Sequence, residues 1–296
     1  MIDADGHPIA QRLAAALSGV RAVMLDVDGT LVVPVGPGGA GGDLMPRADE
    51  LIRRLRECGI RVVVYTNGTT HPPEHYAHEL RKHGLPIDDG DLITPALVAA
   101  TYLEQRHPGA RVLVLGGPGA CEPLLRSGIK IVGPDADEVD VVLVAHDEQI
   151  TGRKIEAACH AIWAGASFLA TSMARYYFRK GSRGVALSGA VGAGIAHITE
   201  TSPTVIGKPS AISMEAIAAR TGVDIPEILV VGDDVDVEIV MGRAAGAPTA
   251  LVLSGTTGEK PREEIDRLDG DRRPDLVIPN VGHLFSILPA LAVGPE

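Results

Sequence analysis

Paired carboxylates at the end of an apolar run are the first residues of this chain that could do chemistry. The apolar residues 22–25 lead into Asp26 and Asp28, and Gly29 then breaks the pattern. On a strand, residues two apart lie on the same face, so the two aspartates share one side. Like charges held together need a cation, a shared proton or a phosphate-bearing site. A strand ending in an Asp-Gly turn gives the same pattern, and this segment alone does not decide between the two.

Two further strand-like runs end in polar residues. Residues 62–65 lead into Thr66 and Asn67, and a hydroxyl, an amide and free backbone N–H groups at a strand end can cradle phosphate oxygens. Lys208 lies in a Gly-Lys-Pro-Ser sequence ahead of a helical pattern, where its point charge could hold phosphate oxygens and a carboxylate. Ordinary turns and helix starts produce both patterns, so neither is decisive alone.

A fourth segment gathers acidic residues behind the apolar run 229–231. It holds four carboxylates within six residues, namely Asp233, Asp234, Asp236 and Glu238. The helix dipole favours acids in a first helical turn, which accounts for some of them. Four exceed what capping requires, and oxygen ligands of this kind suit Mg²⁺ that also contacts a substrate phosphate.

Strand-like and helical patterns alternate along the chain. Apolar runs recur at residues 23–25, 61–65, 112–115, 139–144, 167–170, 228–231 and 249–253, and helical patterns lie between most of them. This alternation predicts an α/β protein with a mainly parallel sheet. Ligands of such sheets bind in the crevice beyond the carboxyl ends of the strands, which is where the polar segments fall.

A glycine-rich turn follows the strand-like residues 112–115. Its Gly116 and Gly117 partly match a dinucleotide-binding turn, but the full spacing of that motif is missing. Pro118 also lacks the N–H that would donate to a pyrophosphate. We interpret this turn as a plain strand-to-helix connection.

Composition limits the classes of function. The chain has 296 residues, 45% of them hydrophobic and 22% charged, which is typical of a globular protein with ample core. The net charge of −11 argues against a nucleic-acid partner. Its three cysteines lie far apart, so we expect no structural disulfide and a reducing compartment. No signal peptide or membrane-spanning run is evident, so we expect a cytoplasmic protein without a membrane partner.

Taken in order, the four polar segments resemble the haloacid dehalogenase superfamily of phosphohydrolases. Asp26 and Asp28 match its first motif, Thr66 the second, Lys208 the third, and Asp233 with the acids after it the fourth. The resemblance is closest to the branch of N-acetylglucosamine-6-phosphate phosphatase-like and 4-nitrophenylphosphatase-like proteins. It implies a Rossmann-like parallel-sheet core, residues 1–72 and 186–296, and an inserted α/β cap of the C2 type, residues 73–185.

The resemblance also implies a Mg²⁺-dependent phosphatase of a small phosphorylated metabolite, such as a sugar phosphate, glycerol phosphate, phosphoglycolate or nucleotide. Asp26 would attack phosphorus and form an aspartyl-phosphate, and Asp28 would protonate the leaving group and then activate water. Phosphate would be held by Gly29, Thr66, Asn67 and Lys208. Mg²⁺ would lie between Asp26, the backbone carbonyl of Asp28 and Asp233.

The chain departs from that branch in two places. Val237 and Glu238 stand where a Thr-Asp pair is common, so Asp234, Asp236 and Glu238 all remain candidates for supporting the metal. In the cap, the sequence after residue 170 also differs from the expected one. The candidates there for contacting the leaving group are His146, Arg175, Tyr176 and Arg179, each with a packing or solvated role as its alternative.

Two other functions stay open from the sequence. A protein that kept the fold and lost turnover would bind phosphate without hydrolysing it, and a phosphomutase would return an isomerised ester. Tyr177 and Phe178 are interpreted as core or dimer contacts, since a homodimer through the cap fits the resemblance.

Overall fold

The first parallel sheet carries the strand that delivers Asp26. The computed structural model describes residues 19–33, 42–179 and 182–286. Within them, six strands pair in the order β13-β12-β11-β1-β2-β3. They are β1 Ala22–Asp26, β2 Arg61–Tyr65, β3 Leu92–Ile93, β11 Ile228–Gly232, β12 Thr249–Val252 and β13 Leu276–Ile278. All pairings are parallel.

Strand β1 is apolar along its whole length because both faces of the sheet are covered. Val23 and Leu25 pack in one hydrophobic cluster, and Ala22 and Met24 pack in another on the opposite face. Strands of parallel sheets are buried on both sides and therefore read as continuous apolar runs. This burial leaves only the strand end free to present polar side chains.

A second sheet of five parallel strands forms the inserted unit. Its order is β10-β7-β6-β4-β5. The strands are β4 Arg111–Leu115, β5 Lys130–Val132, β6 Val141–Val144, β7 Ser167–Ala170 and β10 Thr204–Val205. A separate antiparallel hairpin pairs β8 Tyr176–Arg179 with β9 Ser182–Val185. The predicted fold class, a parallel core with an inserted α/β cap, is confirmed.

Helices cover the faces of both sheets. The α-helices are α1 Ala48–Glu57, α2 Pro73–Lys82, α3 Pro95–Arg106, α4 Pro118–Arg126, α5 Gly152–Trp163, α6 Leu187–Thr199, α7 Ala211–Thr221, α8 Val240–Ala244 and α9 Arg262–Asp266. Short 3₁₀ turns lie at Asp89–Asp91, Ile225–Glu227, Thr257–Glu259, Gly270–Arg272 and Val281–Ser286, and Val235–Ile239 is π-helical. Ser210 caps α7, since its Oγ accepts a hydrogen bond from the backbone N of Ser213 at 3.2 Å.

The strand pairing favours other domain boundaries than those suggested by the sequence. Strand β3, Leu92–Ile93, is hydrogen-bonded to β2 of the core, although we placed residue 92 in the cap. Strand β10, Thr204–Val205, pairs with β7 of the cap, although we placed it in the core. Two-residue strands carry no periodic signal, so their sheet is visible only in the fold. On this pairing we propose boundaries near residues 94 and 206.

Each sheet has a point at which successive connections turn in opposite directions. In the core, β2 lies on one side of β1 and β11 on the other, and in the cap β5 and β6 flank β4 in the same way. Loops that leave neighbouring strands in opposite directions open a crevice at the carboxyl edge, where ligands of α/β sheets bind. The molecule therefore has two such crevices, one in each sheet.

Two expectations from composition can be compared with the fold. All three cysteines are free thiols. In the described part of the chain, no helix is both long and apolar enough to cross a membrane.

Candidate active site

A cleft opens at the core switch point, between the core sheet and the cap. The core contributes the ends of β1, β2 and β11, and residues from the cap close the opposite side. All four polar segments that the sequence singled out meet here. Their members that line the cleft are Asp26, Asp28, Thr66, Asn67, Lys208, Asp233, Asp234 and Glu238.

Lys208 lies at the centre of this cleft and is buried. Its Nζ donates to Asp26 Oδ1 at 2.5 Å, to Glu238 Oε1 at 2.6 Å and to the backbone oxygen of Tyr65 at 3.1 Å. Burial opposes its charge, but attraction by Asp26 and Glu238 and their hydrogen bonds outweigh this, so the pKa of Lys208 lies above its ordinary value. Lys208 is therefore a fixed ammonium ion that joins two carboxylates.

The side chain of Asn67 fixes the backbone of Lys208. Its Oδ1 accepts from the Lys208 backbone N at 3.0 Å, and its Nδ2 donates to the Lys208 backbone O at 3.1 Å. A Cβ at Gly207 would lie 2.3 Å from the backbone O of Thr171, so only glycine fits beside this contact. The sequence suggested a phosphate-binding role for Asn67, and this second role was not expected.

Thr66 is buried directly after β2. Its Oγ1 accepts a hydrogen bond from the backbone N of Gly68 at 3.0 Å, which holds the turn that follows the strand. Gly29, the other predicted phosphate ligand, has a φ of +84°. A Cβ there would lie 2.5 Å from Asp233 Oδ2, so glycine lets the β1 turn approach the β11 carboxylate.

Asp28 lies beside Asp26 with an unsatisfied carboxylate. Its Oδ1 is buried and has no hydrogen-bond partner among the residues described. Burial and the charge of Asp26 raise the pKa of Asp28 to about 8, against the opposing effect of Lys208. A raised pKa favours the protonated form of the carboxyl group, which is the form that can donate a proton.

Asp233 and Glu238 add further negative charge. Burial, followed by repulsion from Asp26 and Glu238, raises the pKa of Asp233, and burial also raises the pKa of Glu238 against the attraction of Lys208. Four acids thus surround a single buried ammonium group. Such an excess is costly unless protons or a cation neutralise it.

The residues present fit a divalent cation with oxygen ligands. Asp26 ends β1, and Asp233 directly follows the neighbouring strand β11. Gly29 and Gly255 lie against the Asp233 carboxylate, since a Cβ at Gly255 would come within 2.0 Å of its Oδ2. No three His, Cys, Asp or Glu side chains form a ready metal cluster in the described ranges. The expected set needs only two carboxylates and the backbone carbonyl of Asp28, so this finding is compatible with it.

The three candidates for supporting the metal lie in different surroundings. Glu238 reaches into the cleft and accepts from the backbone N of Asp234 at 3.3 Å as well as from Lys208. Asp234 lines the cleft and accepts from the Asp236 backbone N at 2.9 Å. Asp236 itself is exposed, pairs with Arg272 at 3.0 Å and is not among the lining residues. The π-helical turn directs these side chains apart, and such turns are frequent at functional sites.

Two of the four cap candidates line the cleft. His146 and Tyr176 do so, whereas Arg175 is exposed and is not among the lining residues. The side chain of Arg179 lies outside what the structure describes. The roles of all four stay predictions.

The cleft also has cap residues that sequence reasoning missed. Ser172, Ser188 and Tyr177 line it, although Tyr177 was interpreted as a core or dimer contact. Tyr177 pairs with Gly184 across the hairpin, and a Cβ at Gly184 would come within 2.1 Å of its ring. An aromatic residue opposite a glycine was the available signal for this packing. No sequence pattern indicated that Ser172 or Ser188 would line the cleft.

Comparisons with known proteins agree with this geometry. The haloacid dehalogenase-like hydrolase model matches residues 23–130, and a HAD-hydrolase-like model matches residues 205–284. The acid sugar phosphatase of Staphylococcus aureus (strain USA300) is 31% identical over 238 residues, or 80% of this chain and 88% of that protein.

Solved structures share the whole architecture. The 4-nitrophenylphosphatase of Thermotoga maritima matches with a TM-score of 0.80 and 25% identity, over 92% of this chain and 98% of that one. The glycerol phosphate phosphatase of Mycobacterium tuberculosis, solved in complex with magnesium, matches with a TM-score of 0.78 and 25% identity. The match covers 91% of this chain and 76% of that one. These findings confirm the family inferred from the four motifs. The chain belongs to the haloacid dehalogenase-like hydrolases, in the branch of the 4-nitrophenylphosphatases, and is a phosphatase of that family.

Proposed function

We propose that this chain hydrolyses the phosphate monoester of a small metabolite through an aspartyl-phosphate on Asp26, with Mg²⁺ bound. The observation that carries the proposal is the triad of Asp26, Lys208 and Asp28 at the floor of the cleft. Lys208 Nζ lies 2.5 Å from Asp26 Oδ1, and Asp28, two residues further on, has a buried oxygen without a hydrogen-bond partner among the described residues. A nucleophile, a counter-charge and a proton donor thus lie together.

In the first step a carboxylate oxygen of Asp26 attacks phosphorus, and the bond from phosphorus to the alcohol oxygen breaks. The leaving oxygen keeps the electron pair and takes the proton of Asp28. In the second step Asp28, now ionised, removes a proton from water. That water attacks phosphorus, which releases inorganic phosphate and restores both carboxyl groups.

The remaining residues position charge around the phosphoryl group. Lys208 neutralises Asp26 and phosphate oxygens, while Thr66 and the backbone N–H of Asn67 donate to those oxygens. Asp26, the carbonyl of Asp28 and Asp233 would hold Mg²⁺, which when bound supplies positive charge for the phosphate oxygens and the surplus carboxylates.

The test is phosphate release from a panel of phosphate esters, with Mg²⁺ and with a chelator. The panel holds hexose phosphates, glycerol phosphate, phosphoglycolate, nucleoside monophosphates and 4-nitrophenyl phosphate. We expect metal-dependent turnover that falls on the order of 10⁴-fold or more in Asp26→Asn. Asp224→Asn, an exposed aspartate that is not among the cleft-lining residues, serves as the control and should keep full activity.

Product analysis separates the alternatives. Phosphorus NMR that shows an isomerised ester instead of inorganic phosphate would favour a phosphomutase. A folded protein that releases no phosphate from any ester would overturn the proposal, as would full activity in Asp26→Asn.

A further inference from the structure

The crevice at the switch point of the cap sheet forms a second cavity with charged residues in its lining. The turn of Gly116, Gly117 and Pro118 lines it after β4, and residues 146–149 line it after β6. Lys154, in the first turn of α5, also lines it. The glycine-rich turn that the sequence presented as a plain connection therefore borders a cavity.

One carboxylate, that of Asp147, organises this cavity. Asp147 Oδ2 accepts from Lys154 Nζ at 3.3 Å, and Asp147 Oδ1 accepts from the backbone N of Gln149 at 2.8 Å. The Asp147 side chain is 10% exposed and that of Lys154 is 31% exposed. By contrast, the next ion pair on the same helix, Arg153 with Asp135, is 68% and 71% exposed. The Asp147–Lys154 pair is thus fixed and inward-facing, while its neighbour is a solvated surface pair.

His146 lies between this cavity and the active-site cleft. It lines both, as does Thr70. The His146 backbone is held in place, since its N donates to Thr69 Oγ1 at 3.2 Å and its O accepts from Gly117 N at 3.2 Å. Its ring Nε2 is buried and has no hydrogen-bond partner among the described residues. A buried polar atom of this kind requires a partner, and a bound ligand can supply it.

We propose that the cap crevice binds the hydroxyl groups of a polyhydroxylated leaving group, and that Asp147 and Lys154 select such esters. This inference rests on the proposed function. The phosphate end would lie at Asp26 and Lys208, and the polyol chain would pass His146 into the crevice. Carboxylates accept hydrogen bonds from hydroxyl groups, and the Lys154 ammonium and the Gln149 amide donate to them.

The other leaving groups fit the crevice poorly. Among its described lining residues there is no arginine, and the two carboxylates of Asp147 and Glu148 outnumber the ammonium of Lys154, so a second anionic group would be repelled. The lining has no Phe, Tyr or Trp either, whereas Tyr176 and Tyr177 lie on the main cleft. The ring of an aryl ester can therefore contact these tyrosines in the main cleft and need not enter the cap crevice.

The experiment compares a hexitol phosphate with 4-nitrophenyl phosphate in Asp147→Asn, Lys154→Met and Glu148→Gln. Losing a hydrogen bond to a charged group lowers kcat/KM by about 10- to 100-fold, and we expect this loss for the hexitol ester in the first two variants. For 4-nitrophenyl phosphate we expect a change below about threefold. Glu148 is exposed, so we expect Glu148→Gln to fold like the wild type. Its kcat/KM for the hexitol ester should also fall, but by less than in the other two variants.

Arg153→Met and Asp135→Asn are matched controls, because they break the solvated pair on the same helix. Equal losses for both esters would assign Asp147 and Lys154 a structural role and overturn the inference. An unchanged ratio of the two esters in all three variants would overturn it as well. If turnover depends on Asp26 but the ratio of kcat/KM for the two esters does not change in the variants, only this inference is rejected. If the folded wild-type protein releases no phosphate at all, the proposed function is rejected and this inference with it.

Discussion

The two crevices have the same topological origin and use charge differently. The two aspartates are similarly enclosed, since the Asp26 and Asp147 side chains are 9% and 10% exposed, but the lysines differ: Lys208 in the core crevice is 2% exposed and Lys154 in the cap crevice is 31% exposed. The core crevice gathers five acids around one lysine. Among the residues that the structure describes, the cap crevice has the Asp147–Lys154 ion pair and a histidine nitrogen without a hydrogen-bond partner.

This difference in burial separates chemistry from recognition. Charges taken out of water interact strongly and must be neutralised locally, which suits a nucleophile and a developing negative charge. Partly solvated charges exchange water for ligand hydroxyl groups at little cost, which suits recognition. Parallel sheets thus supply the crevice, and burial of the charges in it determines its use.

The largest expected effect comes from removing the buried ammonium group. Lys208→Met leaves Asp26 and Glu238 without their partner, so we expect kcat to fall on the order of 10³-fold or more. In chelator, the free energy of unfolding should fall by about 3–5 kcal/mol, the range for a broken buried pair. Denaturant unfolding and phosphate release measure the two effects.

Lys154→Met is the matched variant in the cap crevice. Its pair is partly solvated, so the expected loss of stability is about 1 kcal/mol or less. If Lys208→Met and Lys154→Met lowered the free energy of unfolding equally, the two crevices would not differ in how strongly their charges are coupled.

A smaller loss should follow from Asn67→Ala. The variant deletes the two hydrogen bonds that hold the backbone of Lys208, so the ammonium group remains but is less well placed. We expect kcat to fall by roughly 10- to 100-fold, with little change in KM for phosphate esters. Asn280→Ala is the control, because Asn280 Oδ1 lies 3.1 Å from both Gly282 N and His283 Nδ1 in a turn whose residues are not among those lining the cleft. A similar fall in both variants would reject the positioning role.

Much of this site was predictable because its residues stand at the ends of apolar strands. The runs before Asp26, Thr66 and Asp233 each show a strand in the sequence, and parallel strands bring their carboxyl ends to one edge. The fold class follows from the same alternation of strands and helices. Lys208 was found from its local sequence, and the structure places it after a strand of the cap sheet.

Contacts that depend on the tertiary fold were not predictable. Asn67 and Lys208 are far apart in the chain, and no local pattern indicates that an amide will hold a distant backbone. The Asp147–Lys154 pair looks like any surface pair until the fold encloses it. Residues at the cap side of the cleft, such as Ser172, depend on how the cap meets the core, which periodicity does not report.

The contact between the crevices can be tested at a glycine. A Cβ at Gly119 would lie 2.4 Å from the backbone O of Thr69 and 2.6 Å from His71 N, so the core loop packs directly on the start of α4. Gly119→Ala should destabilise the protein by about 1–3 kcal/mol, since neither backbone can yield freely. Gly117→Ala in the same turn meets only the His146 backbone O at 3.7 Å and should change stability far less. Thermal unfolding of both variants provides the comparison, and equal shifts would show that the packing is loose.

The smallest effect should come from the acid that the structure places outside the cleft. Asp236 is 59% exposed and pairs with Arg272, whereas Glu238 is buried against Lys208. We therefore expect Asp236→Asn to change kcat by less than about twofold and stability by about 0.5 kcal/mol or less, since exposed pairs contribute little. Glu238→Gln should lower kcat by at least about tenfold, because it removes a charged partner of the buried ammonium group. Both are measured as Mg²⁺-dependent phosphate release across a range of metal concentrations. If Asp236→Asn instead raised the Mg²⁺ concentration needed for half-maximal rate, Asp236 would act on the metal from outside the cleft. Burial would then be a poor guide to which acids of this segment serve the reaction.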